Sequence, residues 1–155
     1  MTAESGPGPE LLLDTSLYID VLQGRTPPEL DRLLTFRILN HSSVALAELT
    51  HLFGRLDPAH PGTRAALRAL GDTLGDIPPH RLTSPSVRAF GEAGILAGLA
   101  ARLTGRAHGA ELLNDAVLLL HAAETGRTLL TRNVGDFDAL QQLEPSAEVL
   151  FYRRT

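Results

Sequence analysis

The sequence predicts one α/β domain, a three-layer α/β/α sandwich with a mostly parallel central sheet, and two observations carry that expectation. Short apolar runs of strand length alternate with longer segments of helical periodicity, the order in which strand–helix–strand units lay down parallel sheets. The chain also has the size for one core: 155 residues, 43% of them hydrophobic, can bury a sizeable interior without a second domain. Residues 1–10, rich in Gly, Pro and Glu, read as a disordered tail, which leaves residues 11–155 as the folded unit.

Along the chain, Leu11-Leu12-Leu13 reads as a buried strand closed by Asp14. A helix through Leu17, Tyr18, Val21 and Leu22 follows; Gly24 ends it, and Pro27-Pro28 starts another through Leu30, Leu33 and Leu34. Residues 37–44 make a weaker strand. A helix from about Ala45 to Leu56 then sets Leu49, Leu52, Phe53 and Leu56 on one stripe. Asp57-Pro58 and His60-Pro61-Gly62 mark a loop before a helix over residues 64–74, and Pro78-Pro79 introduces a short strand near His80 to Leu82. Residues 86–104 carry helical spacing, with Ala93, Gly94, Ala97, Gly98 and Ala101 small enough for close helix contact. A loop at residues 105–109 precedes a helix over residues 110–125, stopped by Gly126. A strand over residues 128–131, a turn at residues 133–135, a short helix over residues 137–142 and a last strand near residues 149–152 complete the order.

Composition removes whole classes of function. All 14 basic residues are Arg, so a Walker-type phosphate loop, a Schiff-base enzyme and a receiver domain, which depend on a lysine, are disfavoured. A net charge of −4 argues against broad affinity for nucleic acid, which rests on neutralising phosphates. No apolar run approaches a membrane span, and the first residues lack the charged start and apolar centre of a secretory signal. Zero cysteines exclude disulfides and thiolate metal sites and fit a cytoplasmic setting, in which the sequon Asn40-His41-Ser42 carries no meaning.

Four acids mark the ends of apolar segments: Asp14, Glu48, Asp115 and Asp136. At the carboxyl edge of one parallel sheet they can meet, where open α/β folds place their sites. Gathered carboxylates repel one another unless a cation joins them, so the set reads as a divalent-metal site. Each has an ordinary alternative. Asp14, before Thr15 and Ser16, can be an N-cap. Glu48 can be a surface acid, though Val44 and Leu52 leave it no helical charge partner, and its Glu-x-x-His pairing with His51 lacks the second copy that a di-iron bundle needs. Asp115 can be a cap beside Asn114; if the helix already runs through Leu112, it instead shares a core-facing side with Leu118, Leu119 and Ala122, a costly place for an unpaired acid. Asp136 and Asp138 flank Phe137 in what turn chemistry alone could explain, with Asp136 ranked first. Asn133 or Thr131 can hydrogen-bond a ligating carboxylate, Arg132 is the nearest cation for a phosphate, and His121 with Glu124 reads as a solvent-side pair. Ser16 stands where haloacid-dehalogenase enzymes carry a second Asp, which disfavours that chemistry.

At these residues the chain resembles the PIN-domain nucleases, and among them the VapC-type toxins of toxin–antitoxin pairs. The likeness runs through Leu-Leu-Leu-Asp14-Thr-Ser, the Ser43-Val-Ala-Leu-Ala-Glu48-Leu helix, the Asn114-Asp115 to Gly126 helix and Thr128-Leu-Leu-Thr-Arg-Asn133-Val-Gly-Asp136-Phe137, covering nearly all of the chain after the tail. The resemblance implies an α/β/α sandwich and endoribonuclease activity with Mg²⁺ or Mn²⁺. It also implies Asp14, Glu48, Asp115 and Asp136 as metal-binding catalytic acids, with Thr15 or Ser16 and Asn133 in support, and a small antitoxin as partner. Apolar faces beyond the needs of one small sheet suggest a homodimer. Another metal-dependent phosphohydrolase or DNA nuclease would use the same acids, and a catalytically silent binding module would keep the same fold.

Overall fold

The structure, a computed structural model, describes residues 8–105 and 110–155. Five strands, β1 (Leu11–Leu13), β2 (Leu39–Ser42), β3 (Leu82–Thr83), β4 (Thr128–Thr131) and β5 (Glu148–Phe151), form one sheet in the order β3-β2-β1-β4-β5. Every pairing is parallel. Seven helices are described: α1 (Thr15–Leu22), α2 (Pro28–Phe36), α3 (Ser43–Gly54), α4 (Thr63–Gly75), α5 (Val87–Thr104), α6 (Ala110–Glu124) and α7 (Val134–Leu143). The α/β/α sandwich expected from the sequence is present.

The central strand shows why an unbroken leucine run is a strand here. Leu11 and Leu13 pack with Leu17, Tyr18, Leu30, Leu49 and Leu70 from α1 to α4, whereas Leu12 packs on the other face with α5, α6 and α7. A strand covered on both faces needs apolar residues at every position rather than at alternate ones. From β1 the chain builds outward to β2 and β3, then returns to place β4 on the other flank of β1. That reversal is a topological switch point, and it opens a crevice at the carboxyl ends of β1 and β4. The register brings Leu13 opposite Leu130, and the Asp14 N–H donates to the Leu130 carbonyl at 3.0 Å, so Asp14 and Thr131 leave the sheet side by side.

Boundaries moved where capping chemistry decides them. Residues 133–135, expected as a turn, open α7 instead: the Asn133 side-chain oxygen accepts the Asp136 N–H at 3.4 Å and starts the helix at Val134 rather than Phe137. The Ser42 hydroxyl does the same for α3, accepting the Val44 N–H at 3.2 Å. The strand expected near His80 begins later, a 3₁₀ turn occupying Pro79–Arg81 ahead of a two-residue β3. Of the expected tail, residues 1–7 lie outside the described residues; the Glu10 carbonyl accepts the Thr128 N–H at 2.9 Å and its carboxylate pairs with Arg81 at 2.8 Å. Of the loop expected at residues 105–109, Gly105 closes α5 with φ +65, a left-handed value that glycine adopts without strain, and residues 106–109 lie outside the described residues.

His121 is not on the solvent side. It is 1% exposed, with Nδ1 at 3.0 Å from the Ser42 hydroxyl and Nε2 at 3.2 Å from that of Thr83, and burial lowers its pKa. The two-sided picture of α6 failed because the helix is buried at every position from Asp115 to Ala122, between the sheet and its neighbouring helices. Glu124 is exposed and accepts hydrogen bonds from the Ser86 N–H and hydroxyl, at 2.9 and 2.6 Å. No described helix is long and apolar enough to cross a membrane.

Candidate active site

Asp14 is carried to the sheet edge by β1 and stands at the N-cap position of α1, yet its side chain makes no capping hydrogen bond. Its Oδ2 accepts instead from the Ser16 hydroxyl at 2.8 Å and the Thr131 hydroxyl at 2.7 Å. The carboxylate is therefore oriented into the crevice by two donors, one from α1 and one from β4, and its Oδ1 makes no hydrogen bond among the described residues. Thr131 is itself buried and accepts the Asn133 N–H at 3.1 Å, which ties the next loop to the same point. Thr15 is buried beside them, with a hydroxyl that finds no partner among the described residues.

Glu48 lies in the middle of α3, half-buried, with Oε1 shut off from solvent and without a hydrogen-bond partner among the described residues. Its pKa is pushed up to about 7, first by burial and then by the negative charges of Asp14 and Glu111. Asp115 is well inside α6, five residues after its start at Ala110, so it is no cap. It is 8% exposed, and burial, then Asp14, Glu48 and Asp136, push its pKa up to about 9. Asp136, in the first turn of α7, completes the group. Asn133 spans two of the acids: its Nδ2 lies 3.4 Å from Asp115 Oδ2 and 3.3 Å from Asp136 Oδ2, while its Oδ1 caps α7. Asp138 points elsewhere, exposed and accepting from Gln142 Nε2 at 3.0 Å.

These acids line one cleft of about 520 Å³ together with Thr15, Ser16, Arg132 and Asn133, and with His51, Arg55, Glu111 and Asn114 at its margins. The structure thus gathers the four acids singled out in the sequence, and Thr131 sits behind Asp14 as its hydrogen-bond donor. Arg132 lines the cleft, but its Nε is engaged by Asp20 Oδ2 at 2.8 Å. Sequence reasoning missed Glu111 and Asp20. Glu111 was readable, being four residues before Asp115 and so on the same side of α6. Asp20 carries no signal in the sequence, because its partners come from residues 132 and 152.

The arrangement is a field of negative charge with too few donors to satisfy it. Among the described residues no three Asp, Glu or His side chains stand in a ready-made coordination shell. A strongly hydrated ion would not need such a shell: Mg²⁺ takes one or two carboxylates directly and keeps several waters, which can reach other acids. The donor set is oxygen, as hard cations require; a Glu48 oxygen has no hydrogen-bond partner among the described residues, and burial, then the neighbouring acids, raise the Glu48 and Asp115 pKa values, a cost that a cation would offset. The residues fit a hard divalent cation.

An α/β protein with an acidic cleft at the switch point of a parallel sheet is the class that fold and site define. No family model and no curated protein matches the sequence. Solved structures match it in fold. A chain of VapBC2 from Rickettsia felis, in a complex with a DNA fragment from their promoter, is 19% identical with a TM-score of 0.66, over 92% of this chain and 98% of that one. A chain of DNA-bound VapBC from Salmonella typhimurium is 18% identical with a TM-score of 0.66, over 93% and 98%. A chain of VapBC-5 from Mycobacterium tuberculosis, a member of the VapBC family of toxin–antitoxin systems, is 21% identical with a TM-score of 0.56, over 94% and 99%. The likeness to these chains is one of fold.

Proposed function

We propose that this chain is a divalent-metal-dependent endoribonuclease, the toxin of a toxin–antitoxin pair, acting in the cytoplasm. The observation that carries the reading is the convergence of Asp14, Glu48, Asp115 and Asp136 on one cleft at the switch point, with two of these carboxyls held far above their ordinary range. Asp14 and the other three acids would hold Mg²⁺ or Mn²⁺, in part through water; the ion supplies water activation and neutralises charge developing on the phosphate. Ser16 and Thr131 fix the Asp14 oxygen, and Asn133 donates to both Asp115 and Asp136, which lie close enough to each other for a side-chain hydrogen bond. Single-stranded or looped RNA, with its accessible backbone, suits an open cleft. A small antitoxin is the proposed partner, supported by the fold likeness to chains of toxin–antitoxin complexes.

A homodimer is proposed through α5, whose small residues divide by face. Ala93, Ala97 and Ala100 are buried in the core of this chain, whereas Gly91, Gly94 and Gly98 have open space where a Cβ would stand, beside Ile95, 75% exposed. Light scattering at micromolar concentration is expected to give the dimer mass, and a strict monomer would overturn that assembly. The activity is tested by incubating pure protein with structured RNAs and Mg²⁺ or Mn²⁺, with DNA in parallel. Cuts in RNA that EDTA abolishes are expected; EDTA-resistant cutting would refute the metal mechanism, and cutting of DNA alone would refute the substrate.

A further inference from the structure

The wall of the acid cleft contains a buried ion pair that the acids do not explain. Asp20, on α1, is 0% exposed. Its Oδ2 accepts from Arg132 Nε at 2.8 Å and from the Tyr152 hydroxyl at 2.7 Å, so α1, the loop after β4 and the residue after β5 meet at one oxygen. The other oxygen, Oδ1, is buried and has no hydrogen-bond partner among the described residues. An arginine serving only to neutralise a buried carboxylate ordinarily engages both oxygens with two parallel N–H bonds. Here the guanidinium reaches Asp20 through Nε alone, with the Tyr152 hydroxyl beside it as a second side-chain partner, and no bond from its Nη groups to the other Asp20 oxygen is seen among the described residues. The Arg132 side chain is 33% exposed and lines the cleft.

We propose that Asp20 and Tyr152 are positioning residues that hold Arg132 with its Nη fork presented to the cleft, where it grips a phosphate of the bound RNA strand. The inference rests on the ribonuclease reading and adds to it the group that binds the substrate backbone. A phosphodiester entering a cleft lined by Asp14, Glu48, Asp115 and Asp136 is repelled, and the chain has no lysine to offset this. Arg55, also at the cleft, is exposed and has no side-chain partner among the described residues, so it attracts RNA without placing it. Arg132 is fixed, because leaving its buried partner would strand the Asp20 charge. A planar fork held by its own Nε can meet two phosphate oxygens at once.

The test is binding of a short, labelled single-stranded RNA by fluorescence anisotropy on the Asp115→Asn chain, which stops turnover. Arg132→Gln is expected to weaken binding about tenfold, the size of one charge-assisted hydrogen bond, and Arg132→Lys to restore little of it. Asp20→Asn separates positioning from simple charge. It removes a negative group, so the field alone would tighten binding, as the remote control Glu29→Gln should do slightly; positioning requires it to weaken binding. The double variant Asp20→Asn with Arg132→Gln should bind no worse than Arg132→Gln alone, since Asp20 acts through Arg132. Circular dichroism checks the fold; should Asp20→Asn not fold, Tyr152→Phe, expected to weaken binding less than Arg132→Gln, and Arg132→Lys carry the test. Full binding by Arg132→Lys, tighter binding by Asp20→Asn, or no effect of Arg132→Gln overturns the inference and leaves the ribonuclease reading standing. Absence of RNA binding by every form overturns both.

Discussion

Replacing Asp115 by Asn should make the metal-free protein more stable while abolishing its activity. The carboxyl is held at about 9 in the fold against 3.8 for an ordinary Asp. A raised carboxyl binds a proton in the fold that the unfolded chain has already released, so stability contributed through this group falls as pH rises between those two values. At pH 7 the gap above 3.8 corresponds to roughly 4 kcal/mol at about 1.36 kcal/mol per unit. Asn remains a buried polar group and the other acids stay, so about 2 kcal/mol is the expected gain. For a domain of this size that is a melting temperature ~4–8 °C higher. Differential scanning fluorimetry in EDTA at pH 8 reads it directly. Well below 3.8 the wild-type carboxyl is protonated in the unfolded chain too, so the difference should become small near pH 4 and vanish at lower pH. An Asp115→Asn protein that melts below wild type at pH 8, or whose advantage is the same at pH 4, would refute the argument that this acid is held under electrostatic strain.

Mn²⁺ at about 100 times its dissociation constant should stabilise wild type by ~2.7 kcal/mol through mass action, raising the melting temperature several degrees; Asp14→Asn should fold and show no such rise in the same scan. Asp138→Asn should keep most of the RNA cleavage, because its carboxylate is exposed and paired with Gln142 outside the cleft, and a loss as deep as that of Asp136→Asn would reverse their ranking. His121→Ala should cost ~2–4 kcal/mol in urea unfolding, by stranding the Ser42 and Thr83 hydroxyls and opening a cavity. That cost should fall as pH drops from 6.5 toward the histidine's lowered pKa, because over that window the unfolded ring takes up a proton that the buried ring resists, and a cost unchanged with pH would show that the ring's protonation plays no part.

The parallel sheet and the order of helices were legible because each rests on a local pattern: a three-leucine strand, a four-residue strand after Gly126, glycine and proline stops. The convergence of Asp14, Glu48, Asp115 and Asp136 was legible for a related reason, since strand ends and the helices that follow them share the carboxyl edge of any sheet of this kind. What the sequence concealed are contacts fixed by three-dimensional crossing. His121 looked like a surface residue because α6 is covered nearly all round, and an amphipathic reading assumes one wet face. The start of α7 was hidden because Asn133-Val-Gly-Asp has turn composition, and only the Asn133 cap to Asp136 selects a helix. Asp20 was silent because both donors to it lie more than a hundred residues away in the chain.

The four acids are not equivalent, and the difference has a physical use. Asp14 receives two hydroxyl donors and is committed to its orientation before any ion arrives, so little ordering entropy is lost when it becomes a ligand. Glu48 and Asp115 are left short of donors, and burial with their acidic neighbours makes their ionised forms costly, a cost that a bound cation would offset. On the proposed reading one fixed ligand would set where the ion sits, and the strained acids would raise the affinity for it. A cleft with four well-satisfied carboxylates would gain less from a metal, and one with four strained carboxylates would place it poorly. On the proposed reading, the division would also let an acidic chain without lysine act on a polyanion: the acids would draw in the divalent charge, that charge would offset their repulsion of the phosphate, and the arginine beside them would contribute direction rather than net charge, its own being matched by Asp20.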